Sequence, residues 1–205
     1  MYALVESGTI TKYFSYPKGF TLGELQYPAD IFMKWSVEEK EAIGIYEVVF
    51  NSSNFKDEQW YINTNQSFAF ADGTVTASYD TAIAKSHADS LWTQQDSDDG
   101  NLPSDKSVGD VRGEGLKTTL IRTLKSQVAG ILKDTDWYIT RNTEKSTAIP
   151  SSISNHRDAV RTKQAAMEAQ ITGAADTAAL EILHTYTTTD GVQSRPLGEL
   201  PVLES

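Results

Sequence analysis

A chain of 205 residues with 39% hydrophobic and 10% aromatic content is long enough for one large or two small domains with real cores. Its formal charge of −10 opposes binding to phosphate backbones, which needs clustered Lys and Arg to release counterions, so DNA and RNA are not expected partners. The absence of cysteine excludes disulfides and thiolate metal sites.

No apolar run reaches the length that spans a bilayer, so no membrane partner is expected. The opening Met1-Tyr2-Ala3-Leu4-Val5-Glu6 lacks the basic start and sustained apolar core of a signal peptide. Together these features predict a protein made and kept in a cytoplasm.

The first part of the chain, to about residue 92, carries every Phe, three of the four Trp and most of the Tyr. The remainder is rich in Ala, Thr, Lys and Arg at helical spacing, which predicts an α+β protein whose mainly β domain covers 1–93. Residues 2–5 and 9–14 flank Ser7-Gly8, a dipeptide suited to a tight turn, and read as an opening hairpin. Tyr16-Pro17 and Tyr27-Pro28 favour extended backbone before each proline and predict an irregular aromatic loop. Ser36-Val37-Glu38-Glu39 matches a capping box, and Gly44 suits the left-handed residue that ends the short helix behind it.

Strands are predicted at 45–50, 60–62, 66–71 and 74–79, the last two joined by Asp72-Gly73, in a small antiparallel sheet. Asp80 or Thr81 is expected to cap a helix through Ala82, Ala84 and Leu91. The polar, acidic stretch 94–109 lacks periodicity and reads as a linker.

A helical domain is expected over 110–186. Leu116, Leu120, Leu124, Val128, Ile131 and Leu132 recur at steps of three and four and predict an amphipathic helix from about Asp110 to Asp134. A second helix follows Pro150, with Ile153, Val160, Met167 and Ile171 on its apolar face, and should pair antiparallel with the first. Gly173 ends it. A shorter helix over 175–186 places Ala179, Ile182, Leu183 and Tyr186 on one face. Residues 187–205 read as an extended strap, because Pro196 and Pro201 forbid a helix while Leu197, Leu200, Val202 and Leu203 are too apolar for a solvated tail. With Arg195 and Pro196, they form a candidate docking tail for this chain or a partner.

Chemical motifs are sparse. Asp96-Ser97-Asp98-Asp99-Gly100 invites a calcium reading, but Gly100 is fifth and Ser107 twelfth from Asp96, where a calcium loop needs Gly sixth and Glu twelfth. His87, His156 and His184 fall in separate predicted helices without companions at metal-ligand spacing. Ser52-Ser53 and Ser151-Ser152 lack a nucleophile turn, and Gly109, Gly113 and Gly115 lack the Lys-Ser/Thr pair of a phosphate cradle. No catalytic residue, cofactor or metal ligand is expected.

The informative pattern lies between the two long helices. Asp136-Trp137-Tyr138 sits where the first runs out, and Arg157 and Arg161 are one turn apart on the second. That puts both guanidinium groups on one face, where either is expected to fork onto Asp136 or Asp134, with Trp137 filling the space between the helices, offering its face to an Arg and locking the hairpin. Removal of a ring buried in that way would cost about 3 kcal/mol. A direct partner contact through the same residues is the alternative.

This pattern, Leu132-x-x-x-Asp136-Trp137, a proline, then Arg157-x-x-Val160-Arg161, resembles the small helical domain of phage tail assembly chaperones and tail-fibre assembly proteins. His156 stands where those proteins usually carry Tyr. The likeness covers about 116–161, and the front end (Tyr2, Gly8, Pro28, Gly44 and Val48) is similar in style to phage tail-associated proteins. The resemblance implies a non-enzymatic protein that binds a tail-fibre or other tail polypeptide in the host cytoplasm, leaves or stays on the virion, and carries no cofactor. The alternative is a permanent structural component of tail, neck or fibre. Self-association is compatible with both.

Overall fold

The computed structural model describes residues 1–203, so Glu204 and Ser205 of the expected strap lie outside the described residues. The chain is α+β and separates into two compact units, Met1–Ile83 and Ala84–Ser205.

The first unit opens with β1 (Tyr2–Glu6) and β2 (Thr9–Phe14), antiparallel about a turn in which Ser7 and Gly8 both take positive φ. The aromatic stretch that follows is not an irregular loop. It forms a second hairpin, β3 (Phe20–Leu22) and β4 (Leu25–Tyr27), turning at Gly23, with Pro17 and Pro28 flanking rather than interrupting it. Two short helices, α1 (Ile31–Lys34) and α2 (Val37–Glu41), come next. The Ser36 hydroxyl accepts from the Glu39 amide while the Glu39 carboxylate accepts from the Ser36 amide, completing the expected capping box.

Then follow β5 (Ile45–Phe50), β6 (Tyr61–Ile62), β7 (Ser67–Ala71), β8 (Thr74–Ser78) and β9 (Ile83–Ala84), where the unit ends. The main sheet has the order β2-β1-β5-β8-β7. It is mixed rather than antiparallel throughout, because β5 and β8 run parallel. Period-two patterning says which face of a strand is buried and nothing about its direction, so the sixteen residues 51–66 that permit this crossover left no directional signal. The sheet curls until Tyr13 on one edge strand meets Phe68 on the other, ring centroids 4.6 Å apart.

Alternation along β1 serves two apolar clusters. Leu4 joins Phe14, Phe20, Ile31, Phe32 and Ile45 on one face, whereas Ala3 and Val5 join Val75, with Tyr46 and Phe70 packed against them, on the other. The β3–β4 hairpin lies over the first cluster, with Phe20 stacked on Tyr27 at 5.2 Å and tilted against Phe14 at 4.9 Å. Gly44 is required where β5 begins: its φ is +80°, and a Cβ there would sit 2.4 Å from the Val5 carbonyl oxygen.

The second unit begins with β10 (Ser90–Leu91), α3 (Gln94–Asp98) and β11 (Val111–Gly113), the two strands pairing antiparallel. The helix expected through Ala82, Ala84 and Leu91 does not form; its alanines supply propensity but no apolar stripe, and the segment is extended. Residues 94–109 are not a bare linker, since Thr93 and Asp96 form a capping box for α3 and Asp96 also pairs with Arg112 at 3.1 Å. Asp96, the first residue of the rejected calcium pattern, is thus committed to a helix cap.

The first long helix, α4 (Leu116–Lys133), starts six residues later than its polar approach suggested, because β11 occupies that approach. Its amino end is held by Asp89, whose carboxylate accepts from the Gly115 amide at 2.7 Å and the Thr118 hydroxyl at 2.9 Å. A Cβ on Gly115 would lie 2.3 Å from the Ala88 carbonyl carbon. A ten-residue helix, α5 (Asp136–Lys145), occupies what read as a polar connection. The left-handed Ser146 ends it. The long α6 (Ser151–Gly173) then runs antiparallel to α4, as Lys117 reaching the Thr172 carbonyl and Lys125 facing Glu168 at the other register show.

Asp176 caps α7 (Thr177–His184), which buries Thr177 and Leu180 rather than the expected Ile182 and Tyr186, both exposed. A last hairpin, β12 (Thr187–Thr189) and β13 (Val192–Ser194), occupies the front of the predicted strap.

Gly44→Ala is expected to destabilise the first unit by roughly 2 kcal/mol or more, combining a strained φ with a backbone collision. Urea unfolding followed by far-ultraviolet circular dichroism measures it; an unchanged midpoint would contradict the close approach to Val5.

Candidate functional site

The five residues singled out around the helix turn separate into a buried lock and an exposed face. At its carboxyl end α4 leaves carbonyls without helical partners, and that of Leu132 accepts from the amides of Asp134 and Thr135 and from the Thr135 hydroxyl. Arg157 comes from α6 to the same point. One terminal nitrogen donates to the Leu132 carbonyl at 2.7 Å and to Thr135 Oγ1 at 2.6 Å, and the other donates to Asp136 Oδ1 at 2.9 Å. Its side chain is only 8% exposed, so the guanidinium is paired where water reaches poorly. The cation also meets the negative end of the α4 dipole and the acidic first turn of α5.

The lock therefore uses Arg157 and Asp136 as expected but not Arg161. Arg161 is half-exposed and bonds Asp158 of its own helix at 3.3 Å, because one turn along the antiparallel α6 carries it back alongside α4, away from the junction at Asp136. Asp134 takes no part in an ion pair among the described residues.

Trp137 also departs from expectation. It is 51% exposed and does not fill the space between helices. Its ring lies against Tyr138 at 3.9 Å, and the Arg141 guanidinium sits over both, 4.7 Å from the Trp137 centroid and 5.6 Å from that of Tyr138. The cation on the indole thus belongs to α5 itself. The i, i+4 spacing of Trp137 and Arg141 marked this pair in the sequence once residues 136–145 were read as a helix.

His156 is buried beside Arg157 and lines a cavity of about 340 Å³ with Ile131, Asp134, Thr135, Leu200, Pro201, Val202 and Leu203. The docking tail accordingly folds onto this chain. Leu197 is 3% exposed, its amide donates to the Leu183 carbonyl, and its carbonyl accepts from Lys163 at 2.9 Å. The Pro196 carbonyl accepts from Gln170, and Leu200 and Leu203 face the cavity. Arg195 pairs with Glu199 at 2.8 Å and stacks on Tyr186 at 5.1 Å.

The Tyr186 hydroxyl, first, and Arg195 hold the Glu199 carboxyl below its ordinary value. Among the described residues no group of three or more acidic, His or Cys side chains converges as a metal site would require, and no helix is long and apolar enough to cross a membrane. Comparison with protein-family models, curated proteins and solved structures finds no match.

Two outcomes are expected. Arg157→Ala leaves the Leu132 carbonyl and Asp136 without their cation and should cost about 3 kcal/mol in urea unfolding, whereas Trp137→Ala should cost under about 1 kcal/mol. Equal losses would contradict the division into lock and face. For the strap, a depressed Glu199 pKa means stabilisation that is complete above the ordinary value of 4.5 and lost as pH falls through the lower folded value. Protection of the Leu197 amide from hydrogen exchange should weaken in that acid range, and Glu199→Gln should abolish the dependence.

Proposed function

We propose that this chain is a non-enzymatic, tail-associated protein of a bacteriophage, a tail-fibre assembly chaperone that binds the fibre polypeptide in the host cytoplasm. The observation that carries the reading is the half-exposed Trp137, held with Tyr138 and Arg141 on a helix whose start is pinned by the buried Arg157. Trp, Tyr and Arg are the residue types that dominate the energy of protein interfaces, and a rigid base lowers the ordering cost of binding. The Leu132, Asp136, Trp137, Arg157, Val160 and Arg161 pattern supplies the choice of partner through its resemblance to tail-fibre assembly proteins. An acidic surface, with 28 acidic against 18 basic residues, keeps such a protein soluble at the concentrations assembly requires.

Co-expression with the tail-fibre polypeptide of the same phage is expected to raise the yield of soluble fibre and to give a complex on size-exclusion chromatography. Unchanged fibre solubility without a complex would sink the reading. Stoichiometric recovery of the chain from purified particles would instead assign it as a permanent component of tail, neck or fibre.

A further inference from the structure

Three arginines in the second unit sit over aromatic rings, and two of them hold a carboxylate of this chain. Arg112 stacks on Trp92 at 4.8 Å and pairs with Asp96 at 3.1 Å; Arg195 stacks on Tyr186 and pairs with Glu199. In both, one guanidinium contacts a ring and a carboxylate together.

Arg141 has the first half of this arrangement without the second. It covers Trp137 and Tyr138, yet none of the described residues hydrogen-bonds or ion-pairs with it. Its Nε is buried and unsatisfied, a property it shares among the described residues only with the Nε of Arg157, whose terminal nitrogens are both engaged. Its terminal nitrogens, equally without partners among the described residues, are not buried, and they are the N–H edge that an anion from outside can reach. Beside it the exposed part of the indole offers apolar area.

We propose that the Trp137–Tyr138–Arg141 face of α5 receives a carboxylate-bearing, apolar segment of a protein partner: an Asp or Glu side chain forks onto Arg141, and a flanking aliphatic residue packs on Trp137. The inference rests on the reading that this chain binds a polypeptide, and it names the chemistry of the bound segment. The carboxylates that occupy Arg112 and Arg195 within the fold are the templates for that ligand, and charge complementarity selects it over a neutral or basic one. Asp136 does not compete, since Arg157 holds it.

The test uses the full chain, isotope-labelled, titrated in separate samples with two end-blocked peptides, Gly-Leu-Glu-Leu-Gly and Gly-Leu-Gln-Leu-Gly. The Glu peptide is expected to shift the Trp137 indole N–H and the Arg141 Nε–H resonances and to bind on the order of tenfold more tightly than the Gln peptide. Arg141→Gln gives up the cation over the two rings, so it should lower the melting temperature by no more than a few degrees, and it should erase that preference. Equal affinity for the two peptides, shifts confined to other residues, or no binding of either would overturn the proposal. Arg141→Glu in the fibre co-expression separates the two readings. If the unaltered chain forms the fibre complex and Arg141→Glu forms it equally well, this face is wrong and the chaperone reading stands. If the Glu peptide binds selectively while no fibre complex forms, the face stands and the fibre is not its partner.

Discussion

A buried guanidinium organises the end of the helical pair. Taking a cation out of water costs several kcal/mol unless its donors are met, and Arg157 meets that cost by contacting the carboxyl end of α4, the Thr135 turn and the first residue of α5 together. Without it the Leu132 carbonyl would keep only the neutral donors of its own turn, and Asp136 has no other cation among the described residues. Because one side chain satisfies all of them, the direction in which α5 leaves α4 is coupled to the position of α6. The antiparallel register continues from there, with Lys125 facing Glu168 and Lys117 reaching Thr172.

That coupling explains why the aromatic pair ends up outside. Asp136 must face Arg157, and on a helix the next two residues are rotated by about 100° and 200° away from it, so Trp137 and Tyr138 cannot both enter the space between α4 and α6. They lean on each other and on Arg141 instead. The motif is then structural at Asp136 and Arg157 and surface-forming at Trp137, two roles carried by adjacent residues. The strap shows a similar economy in the opposite sense: residues suspected of reaching a partner are engaged internally, Leu197 against α7 and Arg195 with Glu199 and Tyr186.

Local signals were legible where a few neighbouring residues decide the outcome. The Ser7-Gly8 and Asp72-Gly73 turns, the Ser36 capping box and the long apolar stripes of α4 and α6 involve interactions within a few residues, and each forms where it was read. The candidate site was half legible for the same reason. An Asp-Trp at a helix end and an Arg one connection away suggest a lock, but the rejection of Arg161 depends on where α4 stops relative to α6, a distance no spacing encodes. The β3–β4 hairpin was masked by its flanking prolines, and α5 by a polar composition that lacks an apolar stripe to announce it.

By itself, the sequence determined the α+β class, the aromatic-rich front and helical rear, most element positions, and the residue types at the helix junction, because propensity, capping and periodicity act over short separations. Only the tertiary structure decided that β5 and β8 run parallel, that the strap folds back, that Arg157 is buried while Arg161 is not, and that Trp137 faces outward beside an unsatisfied Arg141. Those outcomes turn on which of several chemically equivalent partners comes within reach of a given atom. Reach is set by packing between segments far apart in the chain.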